Sequence, residues 1–144
     1  MSLDQINQKI LGLLRENARL SFAEIGKVVH LSAPAVSERV RKMEIEGVIT
    51  GYQVQVDQAA LGFPISVFVL MKVFHGREPM FMDFVKQQLE VIRCVNVTGE
   101  KAFLVEMALA SIAELDEVLE RFAALGETST MIVLSTVVKS QLRS

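Results

Sequence analysis

The residues of this chain best suited to recognition chemistry crowd into one stretch, "LSAPAVSERVRKMEIEG", Leu31 to Gly47, where Arg39, Arg41 and Lys42 stand among Glu38, Glu44 and Glu46. Arginine carries a planar fork that addresses guanine or phosphate, glutamate accepts from cytosine N4, and alanine and serine allow close approach to a base edge. On a helical wheel at about 100° per residue, Val36, Val40 and Met43 fall together as a buried stripe. Pro34, Glu38 and Arg41 then lie nearly opposite, Ala35, Ser37 and Lys42 flank them, and Arg39 sits nearer the buried edge. Small residues and polar hands on one face suit a helix that enters a major groove about 12 Å wide. The same mixture also suits an ordinary solvated helix, so its context must decide.

Elsewhere the chain offers little for catalysis. It has no Ser/His/Asp set, Cys/His pair, glycine-rich phosphate loop or paired carboxylates at one strand end. Cys94 is the single cysteine, which excludes an internal disulfide, and its apolar surroundings read as those of a buried structural thiol. His30 and His75 lack neighbours at metal-ligand spacing. Glu106 lies within an apolar strand pattern, where it is either a functional buried acid or one facing a wet cavity or edge. The expectation is a protein that is not an enzyme and holds no cofactor and no metal.

The chain has 144 residues, 51% of them hydrophobic, which fits a globular protein with a core. No run approaches the roughly 18 to 20 apolar residues of a bilayer span, and "MSLDQINQKI" lacks the basic and apolar parts of a signal peptide. A cytoplasmic protein with no membrane partner is expected. The net charge of −2 does not suit a protein that coats nucleic acid electrostatically. Its distribution is uneven, however: residues 1–50 carry +1 and the remainder −3.

The elements that must position the arginines follow from periodicity. Ile6, Ile10, Leu13 and Leu14 mark one face of a first helix, with Asp4 able to cap it. Ser21 and Glu24 form a capping box for a short second helix whose buried face is Ile25, Val28 and Val29. After a tight turn Ser32 caps the third helix, Pro34 is tolerated in its first turn, and Gly47 is placed to end it. In this tri-helical setting the DNA reading of the third helix prevails over the solvated one. Its candidate contact residues are Ser32, Ala33, Pro34, Ala35, Ser37, Glu38, Arg39, Arg41 and Lys42.

Beyond Gly47 the period changes to two, and Tyr52, Val54 and Val56 alternate with glutamines as a linker strand. "AALGFP", with Gly62 and Pro64 as breakers, ends a connection between domains. Strands are then predicted over Ile65–Phe74, Ile92–Thr98, Ala102–Leu109 and Thr130–Val138, and helices over Met80–Leu89 and Ile112–Leu125. Ser111 and Glu114 form a second capping box, Gly126 closes the last helix, and Ile112, Leu115, Val118, Leu119 and Phe122 share its inner face.

The fold class is therefore α+β: an N-terminal winged-type helix-turn-helix domain over residues 1–50, a linker strand and connection over 51–63, and a ferredoxin-like βαββαβ sandwich over 64–144. Two helices cover one face of such a sheet. The first strand is nevertheless apolar on both sides, with Phe68, Leu70 and Phe74 opposite Ile65, Val67, Val69, Met71 and Val73. The second apolar face predicts self-association through the open sheet.

Four segments, "LDQINQKIL", "ARLSFAEIGKVVHLS", "AVSERVRKME" and "GVITGY", together with the βαββαβ half, resemble the Lrp/AsnC family of feast/famine transcriptional regulators over nearly the whole chain. The resemblance implies a homodimer assembling to a tetramer or octamer, binding of double-stranded promoter DNA, and modulation by a small amino acid. Linked repetition also suits a near-neutral reading unit, because multivalency raises affinity without new contacts. The resemblance places an effector site at Thr98, Gly99, Glu100, Ala102 and Phe103. In the family an acid there helps build the amino-acid pocket; here Ala102 occupies its position and Glu100 lies two residues away on the turn. The alternative is an architectural DNA-wrapping protein with weak sequence preference and no effector.

Overall fold

Asp4 begins the first helix: its side chain accepts from the Asn7 backbone N–H at 2.7 Å, and α1 runs over Gln5–Glu16. The computed structural model describes residues 3–143. These form two compact units, one reaching to Gln55 and including the residues from Ser140 onward, the other Val56–Lys139.

In the helical unit, Ser21 and Glu24 close the expected capping box at 3.0 Å each, and α2 spans Phe22–Val29. Its end is a tight left-handed turn at His30, φ 60°. Leu31 donates to the Gly26 carbonyl, and a Cβ on Gly26 would meet the Leu31 oxygen at 2.3 Å. Only glycine permits that approach. Ser32 then accepts from the Ala35 backbone at 3.3 Å to start α3, Ala33–Ile45, which ends at Glu46 with Gly47 at φ 75°. The core of the unit is Ile10, Leu14, Ile25, Val29, Val36, Val40 and Met43. Val28, expected inside, is exposed.

The segment expected as a linker strand, Tyr52 to Val56, forms no strand in this chain. A strand is defined by a hydrogen-bonded neighbour, and alternation alone does not supply one. Tyr52, Val54 and Val56 are all exposed, and a 3-10 turn follows at Ala59–Leu61.

The second unit has β1 Ile65–Val73, α4 Glu78–Lys86, β2 Val91–Asn96, β3 Phe103–Leu109, α5 Ile112–Ala123 and β4 Gly126–Ile132. The sheet order is β2-β3-β1-β4, every pair antiparallel, so β1 and β2 run parallel with β3 between them. This is the expected split βαβ arrangement. Val67, Val69, Met71, Phe103, Val105, Met107 and Leu109 are buried with Phe81, Val85, Leu115, Val118 and Phe122 in one core. Phe81 contacts Phe103 and Phe122 with ring centroids 4.8 and 5.9 Å apart.

Several boundaries differ from those expected. The last strand starts at Gly126 and ends at Ile132, not over Thr130–Val138. Gly126 does not close α5. It opens β4, where an added Cβ would lie 2.2 Å from the Lys72 carbonyl oxygen, so the glycine serves a close strand approach. Helix α4 takes Pro79 into its first turn and stops at Lys86, because proline suits a first turn whose N–H groups have no helical acceptor. The second strand is Val91–Asn96 with an irregularity between Val91 and Arg93. The second capping box forms by half: Ser111 accepts from Glu114 N, while the Glu114 carboxylate takes the Ala110 N–H instead of that of Ser111. Ile112 is exposed.

Candidate nucleic-acid interface

The wheel drawn from the sequence holds on α3. Val36, Val40 and Met43 are buried, whereas Ser32, Pro34, Glu38, Arg41 and Lys42 are exposed, and Ala33, Ala35, Ser37 and Arg39 are half-buried along the margins. The first turn carries no acid, but Pro34 has no N–H and the Ala35 and Val36 N–H groups are taken by Ser32, so the start of α3 offers its positive dipole end and few free amides.

Each arginine has a distinct hold. Arg39 Nη1 donates to Asp4 Oδ2 at 2.7 Å and to Asn7 Oδ1 at 3.0 Å, which ties α3 to the start of α1. The hydrogen bond from Arg39, followed by that from the Asn7 backbone, lowers the Asp4 carboxyl below its ordinary value. Arg41 instead pairs within its own helix: Nε donates to Glu38 Oε2 at 2.9 Å and Nη2 to Oε1 at 2.6 Å. That double hydrogen bond lowers the Glu38 pKa and raises that of Arg41. Sequence reasoning missed Asn7. It is the one buried polar residue among those described, and its place next to Ile6, at the edge of the α1 stripe, was the available signal.

The residues expected at an effector site separate. Thr98, Gly99 and Glu100 stand on an exposed turn, with Gly99 at φ 107°. Ala102 is half-buried against the sheet–helix core and accepts from Val97 N at 2.6 Å; Phe103 is buried against Phe81. Glu106 is half-buried on the face of the sheet away from the helices, opposite Phe68 on β1 and Arg93 on β2. Cys94 packs against the core, and burial pushes its thiol up, disfavouring thiolate. Among the described residues, no cluster of His, Cys, Asp or Glu could hold a metal, and no helix is long and apolar enough to cross a membrane.

Two sequence profiles match the chain: an AsnC-type helix-turn-helix domain over residues 3–44 and an Lrp/AsnC ligand binding domain over residues 66–142. The HTH-type transcriptional regulator LrpC of Bacillus subtilis is 29% identical over 137 residues, 95% of each chain. Its solved structure superposes with a TM-score of 0.92, covering 97% of this chain and 100% of that one at 28% identity. The regulator LrpA of the same organism is 35% identical over 118 residues, 81% of this chain and 87% of that one. The leucine-responsive regulatory protein of Haemophilus influenzae is 31% identical over 143 residues, 94% of this chain and 86% of that one.

Proposed function

The chain belongs to the Lrp/AsnC family of DNA-binding transcriptional regulators, and from that premise we propose that it binds promoter DNA as an oligomer, reading base edges with α3 while a small amino acid tunes occupancy. Members of the family are regulators and not enzymes. The observation that carries the DNA reading is the division of α3 into a buried Val36/Val40/Met43 stripe and an outer face of Ser32, Pro34, Glu38, Arg41 and Lys42. Ala33, Ala35 and Ser37 let that face approach closely, and Arg39 anchors it while adding a cation at its edge. In this reading residues 1–50 bind DNA, 51–63 connect, and 64–144 bind effector and assemble the oligomer, in the cytoplasm.

Self-association is supported by the uncovered sheet face. Strand register puts Phe68, Leu70, Leu104, Val95 and Met131 on one side, bordered by Arg93 with Glu106 and by Lys72 with Glu127. A surface of that composition gains most by meeting another copy, since burial of apolar area drives association. A dimer would then favour half-sites spaced by about one helical turn, or a multiple.

The effector reading is supported by the ligand-binding profile and by the leucine response in the name of the H. influenzae relative. Thr98, Gly99 and Glu100 lie on its accessible turn, with Phe103 and Ala102 behind them. Ala102, a methyl where a carboxylate would hold an α-ammonium, favours a second reading: an architectural DNA-wrapping protein without effector. Gel shifts on DNA upstream of the protein's own gene and on random duplex at matched salt, with each standard amino acid in turn, separate the two. A regulator prefers the upstream DNA and answers to at least one amino acid; equal affinity for both duplexes overturns it.

A further inference from the structure

Glu38 and Arg41 form an ion pair exposed on both sides, with side-chain relative accessibilities of 50% and 57%. Such a pair adds little to fold stability, because water competes with each partner. Its geometry is more informative. Glu38 grips the Nε edge of the guanidinium with both carboxylate oxygens. An arginine held on that edge keeps a second donor pair, Nη1 with the other Nη2 hydrogen, pointing away from the carboxylate. This end-on fork has the spacing that guanine O6 and N7 accept. Lys42, the next residue, lies close enough for its charge to act on Glu38 but makes no such fork.

Resting on the reading of α3 as the DNA-facing helix, we propose that Glu38 is a positioning residue for base recognition: it presents Arg41 end-on as a preformed guanine-reading fork and keeps it off the phosphate backbone. Two physical effects support the assignment. A guanidinium already oriented loses less rotamer freedom on binding, so more of the contact appears as affinity. A carboxylate beside the arginine also repels phosphate, which weakens binding wherever the guanine is absent and so widens discrimination.

The test uses the full chain. A randomised duplex library is enriched on the wild-type protein, and the guanine whose N7 methylation blocks binding is identified. Affinities are then measured for the enriched site, for the site with that G·C pair changed to A·T, and for random duplex across a salt series. These measurements are made for wild type, Glu38→Gln, Arg41→Ala, Arg41→Lys and the E38Q/R41A double variant, with a thermal midpoint for each. Wild type should prefer the G·C pair about tenfold or more. E38Q should lose most of that preference at an unchanged midpoint, bind random duplex several-fold tighter, and steepen the salt slope by about one. Arg41→Lys should lose the preference too, lacking the fork. In the R41A background, E38Q should take away no further preference. The proposal is overturned if E38Q keeps the wild-type preference, or if it costs as much preference with Arg41 absent as with it present. A wild-type protein that enriches no site overturns the DNA-reading premise itself, a distinct result.

Discussion

The carboxylate of Asp4 joins two helices: Oδ1 accepts the Asn7 N–H that starts α1, and Oδ2 receives Arg39 Nη1 from α3 at 2.7 Å. One side chain thus caps the first helix and orients the helix that faces DNA. Replacing Asp4 with Asn keeps a competent cap but removes the charge that holds Arg39. The variant should fold, melt earlier and bind its DNA more weakly. Because the folded-state carboxyl is lowered, its stabilising contribution is complete above the ordinary value of 3.8 and is lost as pH falls through the lower folded value. Acid titration followed by circular dichroism should show a shallower decline below pH 3.8 for D4N than for wild type.

Arg41→Ala and Met43→Ala should part company although they are two residues apart. Arg41 is exposed, so its loss should reduce specific binding and leave the thermal midpoint in place; a collapsed midpoint would mean that its face is misplaced. Met43 is fully buried among Val36, Val40 and Ile10, and truncation should cost about 2–5 kcal/mol through lost packing and a residual cavity.

Gly26→Ala places a Cβ 2.3 Å from the Leu31 carbonyl oxygen. The turn between α2 and α3 must open to admit it, at about 1–3 kcal/mol by the usual cost of overpacking. Chemical denaturation should report the loss, and weaker DNA binding should accompany it because α3 starts at that turn.

Leu70→Lys puts a charge in the middle of the uncovered sheet face without touching the helix-covered core, where Val69 and Met71 lie. Sedimentation should show a smaller species than wild type, and DNA affinity should fall with the loss of linked reading units. An unchanged mass would remove this face from the interface.

Much of the helical unit was legible locally. The Asp4, Ser21 and Ser32 caps, the Gly47 stop and the Val36/Val40/Met43 stripe all depend on residues within a turn or two, and the structure reproduces each. The pairing of Glu38 and Arg41 is as local, three positions apart on one helix, but the wheel gave only their shared outer face and not the pair. The candidate effector residues were less legible. Residue types at a hairpin do not say which side chain faces the core, and Phe103 lies under α4 while Glu100 stands outside.

Alternation suggested a strand at Tyr52 to Val56, and a run rich in Val, Ile and Thr suggested a late start for β4. The first lacks a hydrogen-bonding neighbour in this chain, and the second pairs with β1 from Gly126 onward because only a glycine admits the Lys72 carbonyl there. By itself the sequence determined three capped helices, a βαββαβ order and an arginine facing outward, since those rest on short-range spacing and backbone capping. Only the tertiary structure decided that Arg39 turns inward to Asp4 and Asn7, that Gly26 and Gly126 sit at close backbone approaches, and that Arg93 stands opposite Glu106. Each of these joins groups brought together by chain folding, and pairing across a closed loop depends on packing and competition that local spacing does not encode.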